Sequence, residues 1–351
     1  MFKLIEYKDL EKTLKDYALI DVRSEKEFNE NTIPGAINIP LFTDEEREKI
    51  GTVYINESIE KAKKMGIEAV SKKLPHIYER ITEIYKDHKN LVFFCARGGM
   101  RSASITSLMN ALSISSYRIK GGYKGYREFI NKELPKIHEE VKYIVVHGTT
   151  GCGKTEILNK IKEEGYDVVD LEYAANHRGS LLGSVGLGRC RSQKMFESIV
   201  YEQLKNRKTN YVFIEGESKR IGNIIIPSYI FDTMTEGYHI YVEGNMENRA
   251  KLLVKEYTKG ENAKEEILSS LNRMEKYMGK KKREAYSELV NEEKYYEVCI
   301  ELMKNYYDPM YLNSMKKHDF NNSIYIEDVE DGIHKLIHWY KDNIINKHDE
   351  L

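Results

Sequence analysis

A chain of 351 residues, 41% hydrophobic and 32% charged, is long enough for about two globular domains with proper cores. A formal net charge of −1 excludes attraction of a polyanion by overall charge, so any nucleic-acid contact must use local basic patches. Cys95, Cys152, Cys190 and Cys299 form no CxxC pair and follow no signal peptide, which argues against a disulfide framework or a zinc site and for a reducing cytoplasm; no apolar run approaches the ~18 residues of a membrane span.

In chain order, Tyr17-Ala-Leu-Ile-Asp21-Val-Arg23 reads as a strand ending in a charged pair, whose expected task is to pin loops together. Ser24 to Glu27 fits a capping box that opens a short helix. A turn and an extended segment follow at Ile33-Pro34-Gly35-Ala36-Ile37-Asn38-Ile39-Pro40. Residues 42–54 are an insertion, read as a charged helix start and a loop near the active site, running to Gly51-Thr-Val-Tyr54.

Leu91-Val-Phe-Phe is a short buried strand, and Cys95 stands where it ends. Arg97, Gly98, Gly99, Arg101 and Ser102 follow, and then a helix with Ile105, Leu108, Met109 and Leu112 on one face. A cysteine before a helix N-terminus, flanked by two arginines, sits in a field that favours an anion: a thiolate, or an oxyanion beside it. Gly121-Gly122-Tyr123-Lys124-Gly125-Tyr126 closes the unit. The Asp-Val-Arg, Ile-Pro-Gly-Ala and cysteine-loop motifs resemble the rhodanese domain, in the right order over about 135 residues. The spacing Cys95-x5-Arg101 is one residue wider than in rhodanese sulfurtransferases, and is also that of phosphatases of rhodanese shape. Loop length alone leaves phosphatase and chalcogen transfer both open.

Residues 131–140 are polar, contain Pro135, and read as the connection between domains. The strand Tyr143-Ile-Val-Val-His147 then runs into Gly148-Thr-Thr-Gly151-Cys152-Gly153-Lys154-Thr155, a complete phosphate-binding loop. Its backbone N–H groups would wrap a diphosphate, Lys154 would reach the oxygens and the Thr155 hydroxyl would bind Mg²⁺. The helix after it carries Ile157, Leu158 and Ile161 on one face and stops at Gly165. Glu215, after the strand Tyr211–Ile214, is the expected acid for Mg²⁺, with Glu217 second; Asp170 ends another strand and should lie nearby. His177, Arg178, Arg189 and Arg191 stand in or beside a stretch with Gly179, Gly183, Gly186 and Gly188. That stretch is expected to be too flexible for a core and to form a loop over phosphates or a polyanion. Beyond residue 245 the chain reads as helices, with basic clusters at 280–283 and at Lys316-Lys317-His318.

These residues carry a closer resemblance. A rhodanese unit before a phosphate-binding loop, with Cys95-Ala-Arg-Gly-Gly-Met-Arg-Ser, Gly148 to Leu158, Asp170-Leu-Glu, Asn176-His-Arg-Gly-Ser and Glu215-Gly-Glu-Ser-Lys-Arg-Ile-Gly222, resembles the tRNA 2-selenouridine synthase family. The chain is expected to be α/β, with a rhodanese-like domain (1–135), a P-loop α/β domain (141–245) and, from the residues alone, a helical part (246–351) expected to close the P-loop domain. The resemblance implies a cytoplasmic transferase acting on tRNA with wobble 2-thiouridine: S-geranylation with geranyl diphosphate, then selenium from selenophosphate. Mg²⁺ is expected at the diphosphate. The other reading that the residues leave open is a rhodanese-type sulfurtransferase or phosphatase coupled to a P-loop that binds ATP or GTP.

Overall fold

The computed structural model describes residues 3–180, 182–315 and 318–346. They divide into two compact units, 1–134 and 135–351.

In the first unit, β1 (Leu4–Ile5), β2 (Ala18–Asp21), β3 (Ile37–Asn38), β4 (Leu91–Phe94) and β5 (Ser116–Ile119) make a parallel sheet of order β1-β5-β4-β2-β3. β4 lies at its centre and all four of its residues are fully buried, which is why it reads as a continuous apolar run and not an alternating one. Parallel order delivers the C-terminal ends of β2 and β4 to one edge, so Asp21 and Cys95 emerge there together. The 42–54 insertion differs from expectation. Residues 51–54 are not a loop but lie inside the helix Asp44–Asn56, opened by a capping box between Thr43 and Glu46, and a second helix follows at Ile59–Ser71.

The polar stretch 131–140 is mostly not a loop either. The helix Gly122–His138 runs through it with Pro135 inside, and the unit boundary falls at Leu134 and Pro135. Ile130 and Leu134 are buried, and an apolar face packed on the protein keeps the helix going past the amide that proline lacks.

In the second unit, β6 (Lys142–Gly148), β7 (Val168–Val169), β8 (Tyr211–Glu215), β11 (Tyr238–Gly244) and β12 (Asn322–Ile326) form a parallel sheet of order β12-β11-β6-β8-β7; β9 (Arg220–Ile221) and β10 (Ile224–Ile225) are a small antiparallel pair. Reading residues 246–351 as helices alone misses β12, which pairs with β11 from Asn322 to Ile326 and extends this sheet. The helix Val329–Tyr340 returns from it to pack its Ile333, Leu336 and Ile337 in one core with Ile157, Leu158 and Ile161. The remaining helices, between 246 and 315, bury their own core around Leu271, Met274, Val290 and Met303. Lys316 and Lys317 lie outside the described residues. No helix among the described residues is long and apolar enough to cross a membrane.

Candidate functional site

The first unit gathers its chemistry on the cysteine loop. Cys95 is almost fully buried at the end of β4, and its Sγ lies 3.2 Å from the Ser102 hydroxyl. The helix Met100–Ala111 begins behind Gly99, so the loop 96–99 turns over a helix N-terminus. Gly98 has φ +62°, and Gly122 has φ +59°, conformations that glycine adopts without penalty. Gly122 closes the loop from the side: a Cβ there would stand 2.2 Å from the Cys95 carbonyl oxygen and 2.3 Å from the Gly98 nitrogen. Tyr123 and Lys124 donate their N–H groups to the carbonyls of Cys95 and Ala96, both at 2.9 Å. Gly122→Ala is therefore expected to destabilise this unit by about 2–4 kcal/mol, adding left-handed strain to a clash with rigid backbone. A denaturant midpoint equal to wild type would show that the approach is not so close.

The two arginines are placed unequally. Arg97 is exposed. Arg101 is largely buried and donates to both Glu27 oxygens at 2.6 and 3.3 Å, so its charge is already matched. Burial alone would lower the Arg101 pKa, but Glu27, and next Cys95, hold it above the ordinary value. Glu27 also accepts from the Ser24 N–H and lies 3.6 Å from Arg47 of the inserted helix. The sequence assigned Glu27 only to a cap. Asp21 and Arg23 do pin loops: Arg23 donates four bonds to the Asp21 carboxylate, Thr32 a fifth, and Asn38 donates to both their carbonyls.

In the second unit the phosphate-binding loop joins β6 to the helix Lys154–Glu163, with Gly151 at φ +81° and Gly153 at φ +77°. Arg249 fixes it from outside, donating to the Thr150 carbonyl at 3.0 Å while a bidentate pair holds its other nitrogens to Asp308. Lys154 Nζ donates to the Gly148 carbonyl at 2.9 Å, folded back across the loop. The Thr155 hydroxyl donates to Glu172 at 2.8 Å.

The acids differ in position. Glu215 is fully buried and one of its oxygens accepts from the Leu171 N–H at 2.9 Å. Asp170 caps the helix Leu171–Ala175 by accepting from the Tyr173 N–H. Glu172, which no motif in the sequence marks for a role, is the acid that reaches Thr155. Burial, and then Glu217, push the Glu172 carboxyl up to about 8; burial also raises Glu217, against the pull of Lys154, and raises Glu215 well above the usual carboxylate range. Acids this crowded favour a cation among them.

A cavity of about 400 Å³ opens here, lined by Thr150–Glu156, Glu172 and Arg178, and from farther along the chain by Leu252, Leu253, Tyr257 and Tyr311 together with Lys255, Glu256 and Lys259. These later side chains, apolar and charged, come from the region beyond residue 245, where no motif marks them. Arg178 donates to Glu256 at 2.6 Å and to the Val185 carbonyl, over the Tyr257 ring. His177 packs its ring against Gly183 and Gly222, and burial holds its pKa down. Arg189 is exposed, and Arg191 donates to the Tyr173 carbonyl above the Tyr173 ring. The glycine-rich stretch is therefore not free of the core: Val185 is 1% exposed within the helical cluster, Asn176 donates to the carbonyls of Leu187 and Arg189, and the Gly186 N–H reaches Glu266.

Comparison with known proteins places both units. Residues 6–129 match the family model of the rhodanese-like domain, and residues 141–343 match that of the tRNA 2-selenouridine synthase AAA domain. The tRNA 2-selenouridine synthase of Pseudomonas putida (strain W619) is 30% identical over 85% of this chain and 89% of its own length. That of Nitrosomonas europaea is 32% identical over 70% of this chain and 64% of its own. Among solved structures, an N-terminal domain from Clostridium difficile 630 is 40% identical, covering 36% of this chain and 98% of that one, with a TM-score of 0.35.

Proposed function

From the membership of this chain in the tRNA 2-selenouridine synthase family, and its being an enzyme of that type, we propose that it converts wobble 2-thiouridine of tRNA to 2-selenouridine in two steps, one on each unit. The observation that carries this reading is a cavity whose lining combines the phosphate-binding loop with the apolar side chains Leu252, Leu253, Tyr257 and Tyr311. Geranyl diphosphate combines the same two chemistries.

In the first step the thiocarbonyl sulfur attacks C1 of geranyl diphosphate, the C–O bond breaks, and diphosphate leaves. The N–H groups of residues 150–155 and the Lys154 ammonium receive the growing charge on the leaving group. Thr155 and Glu172 offer hard oxygen donors of the kind Mg²⁺ takes, and the raised carboxyls around them fit a cation. Mg²⁺ bound there would supply further neutralisation of the diphosphate. Leu252, Leu253, Tyr257 and Tyr311 suit the prenyl chain, whose transfer from water gives about 0.8 kcal/mol per buried CH₂.

S-alkylation converts a poor leaving group into a thiol. In the second step selenium of selenophosphate attacks C2 and geranylthiol departs. The Cys95 loop suits the phosphoryl end, since its span Cys95-x5-Arg101 is that of phosphatases of this shape. Attack of the Cys95 sulfur on phosphorus then breaks the P–Se bond, leaves selenium on C2 and puts the phosphoryl group on the thiol, from which water removes it.

The test is mass spectrometry of tRNA nucleosides after incubation with geranyl diphosphate, and then with selenophosphate. Geranylated and selenated uridine should appear in that order. A melting temperature that rises with ATP or GTP but not with geranyl diphosphate would instead favour a nucleotide-binding P-loop.

A near-neutral protein must grip tRNA by patches. Lys280 to Arg283 open the helix Lys280–Asn291; Arg283 is paired with Glu275 and Glu284, while Lys280 is 74% exposed, 3.9 Å from Glu284. Neutralising all four is expected to weaken tRNA binding and to flatten log affinity against log salt by about 0.7–0.9 per lost phosphate contact. Unchanged affinity and slope in a salt titration would make the cluster a solvated helix face.

A further inference from the structure

On the opposite face of the second sheet from the helix Lys154–Glu163, three histidines from distant parts of the chain meet. Residues 144 and 146 of β6 and 240 and 242 of β11 point into the core with that helix, so the alternate residues His147 and His239 point the other way. His318, from the segment leading into β12, completes the group. One ring nitrogen of each lies within 4.8 Å of the others. His147 and His239 are buried, His318 half-buried.

The rings are arranged around a point. Their centroids are 5.0 Å (His147–His239), 4.9 Å (His147–His318) and 4.6 Å (His239–His318) apart, tilted by 34–41°. Imidazoles on one tetrahedral ion, with metal–nitrogen bonds of about 2.0–2.1 Å, have centroids roughly 5 Å apart. The tautomer of His239 is suited to ligation: its Nε2 donates to the Thr235 carbonyl at 3.0 Å, leaving Nδ1 bare toward His147 Nε2 at 2.8 Å. Metal-binding histidines are commonly held by such a carbonyl on the far nitrogen. Phe320 packs edge-on against His147 and beside Tyr241, giving the group an apolar wall.

We propose that His147, His239 and His318 bind one divalent d-block ion, Zn²⁺ by preference, with water in the fourth position. Three neutral imidazoles suit Zn²⁺ and not Mg²⁺. The ion would tie β6, β11 and the entry to β12 together directly behind Gly148, the first residue of the phosphate-binding loop. It is separate from the oxygen donors Thr155 and Glu172.

The full chain, stripped with a chelator, is titrated with Co²⁺ and with Zn²⁺. One equivalent of Co²⁺ should give the intense visible bands of a four-coordinate nitrogen site, without the near-ultraviolet charge-transfer band of a thiolate ligand. Zn²⁺ should displace it and raise the melting temperature. His318→Ala should abolish the bands and the Zn²⁺-dependent shift, weakening affinity by more than the 10–100-fold typical of losing a ligand's outer hydrogen-bond partner. His239→Gln should do the same if it folds; if it does not, His318→Ala and the wild-type spectrum decide. Weak six-coordinate bands, a thiolate band, or bands that persist in His318→Ala would overturn the site and leave three histidines joined by hydrogen bonds and packing.

Discussion

Cys95→Ala is expected to abolish selenium incorporation while S-geranylated tRNA continues to form and accumulates. The cysteine loop and the phosphate-binding loop stand in separate compact units, and in the proposed reading it is the second that takes the diphosphate. The side chain removed is almost fully buried and bonded to Ser102, so a small loss of stability accompanies the change, but Ala fits the space without strain. Losing a covalent nucleophile costs more than losing a positioning contact, because no neighbouring group takes its place; Ser102 lies 3.2 Å away, but its hydroxyl is a far weaker nucleophile than a thiolate. Nucleoside mass spectrometry separates the two products in one experiment. Equal loss of geranylated and selenated uridine would sink the division of labour between the units. Cys95→Ser should behave as Cys95→Ala, since its shape is kept and its nucleophilicity is not.

What was legible in the sequence is what rests on local rules. β4 and β6 are runs of apolar residues between turn signals, and the loops after them are fixed by glycines at positive φ, so Cys95 and Lys154 could be placed by inspection. What was hidden depends on partners far away in the chain. β12 carries the alternating pattern of an edge strand, Asn322-Ser-Ile-Tyr-Ile, too short to stand out among helices until β11 pairs with it. Pro135 reads as a break because the apolar face that carries the helix past it is decided by packing. Arg101 looks like a spare cation because Glu27 lies 74 residues earlier. Glu172 is inconspicuous because the usual place for the acid is a strand end, where Glu215 stands, while Glu172 reaches Thr155 from the helix that Asp170 caps. The three histidines at 147, 239 and 318 have no spacing signal at all; three separate segments of one sheet bring them together.

Lys154→Ala is expected to lower geranyl transfer by about 10²–10³, the cost typical of removing one preorganised contact to a developing anion. The lysine stands at the first turn of its helix, half inside the loop, and donates to the Gly148 carbonyl. Burial alone would lower the pKa of its ammonium, but Cys152 and the acids Glu217, Glu172 and Glu215 hold it above the ordinary value, so it stays charged near neutral pH. Removing it takes away the cation proposed to face the diphosphate and also leaves three raised carboxyls with one less counter-charge. Tighter crowding among those acids would raise their pKa further and weaken any Mg²⁺ they hold. Thr155→Ala should cost a similar factor by a different route, since it removes the hydroxyl donated to Glu172 and leaves Lys154 in place. The two are distinguished by rescue: excess Mg²⁺ should restore part of the Thr155→Ala rate and little of the Lys154→Ala rate. Selenium transfer to tRNA already geranylated should proceed at the wild-type rate in both variants, because the cysteine loop is untouched. Geranyl transfer at the wild-type rate by folded Lys154→Ala would show that the phosphate-binding loop serves another ligand.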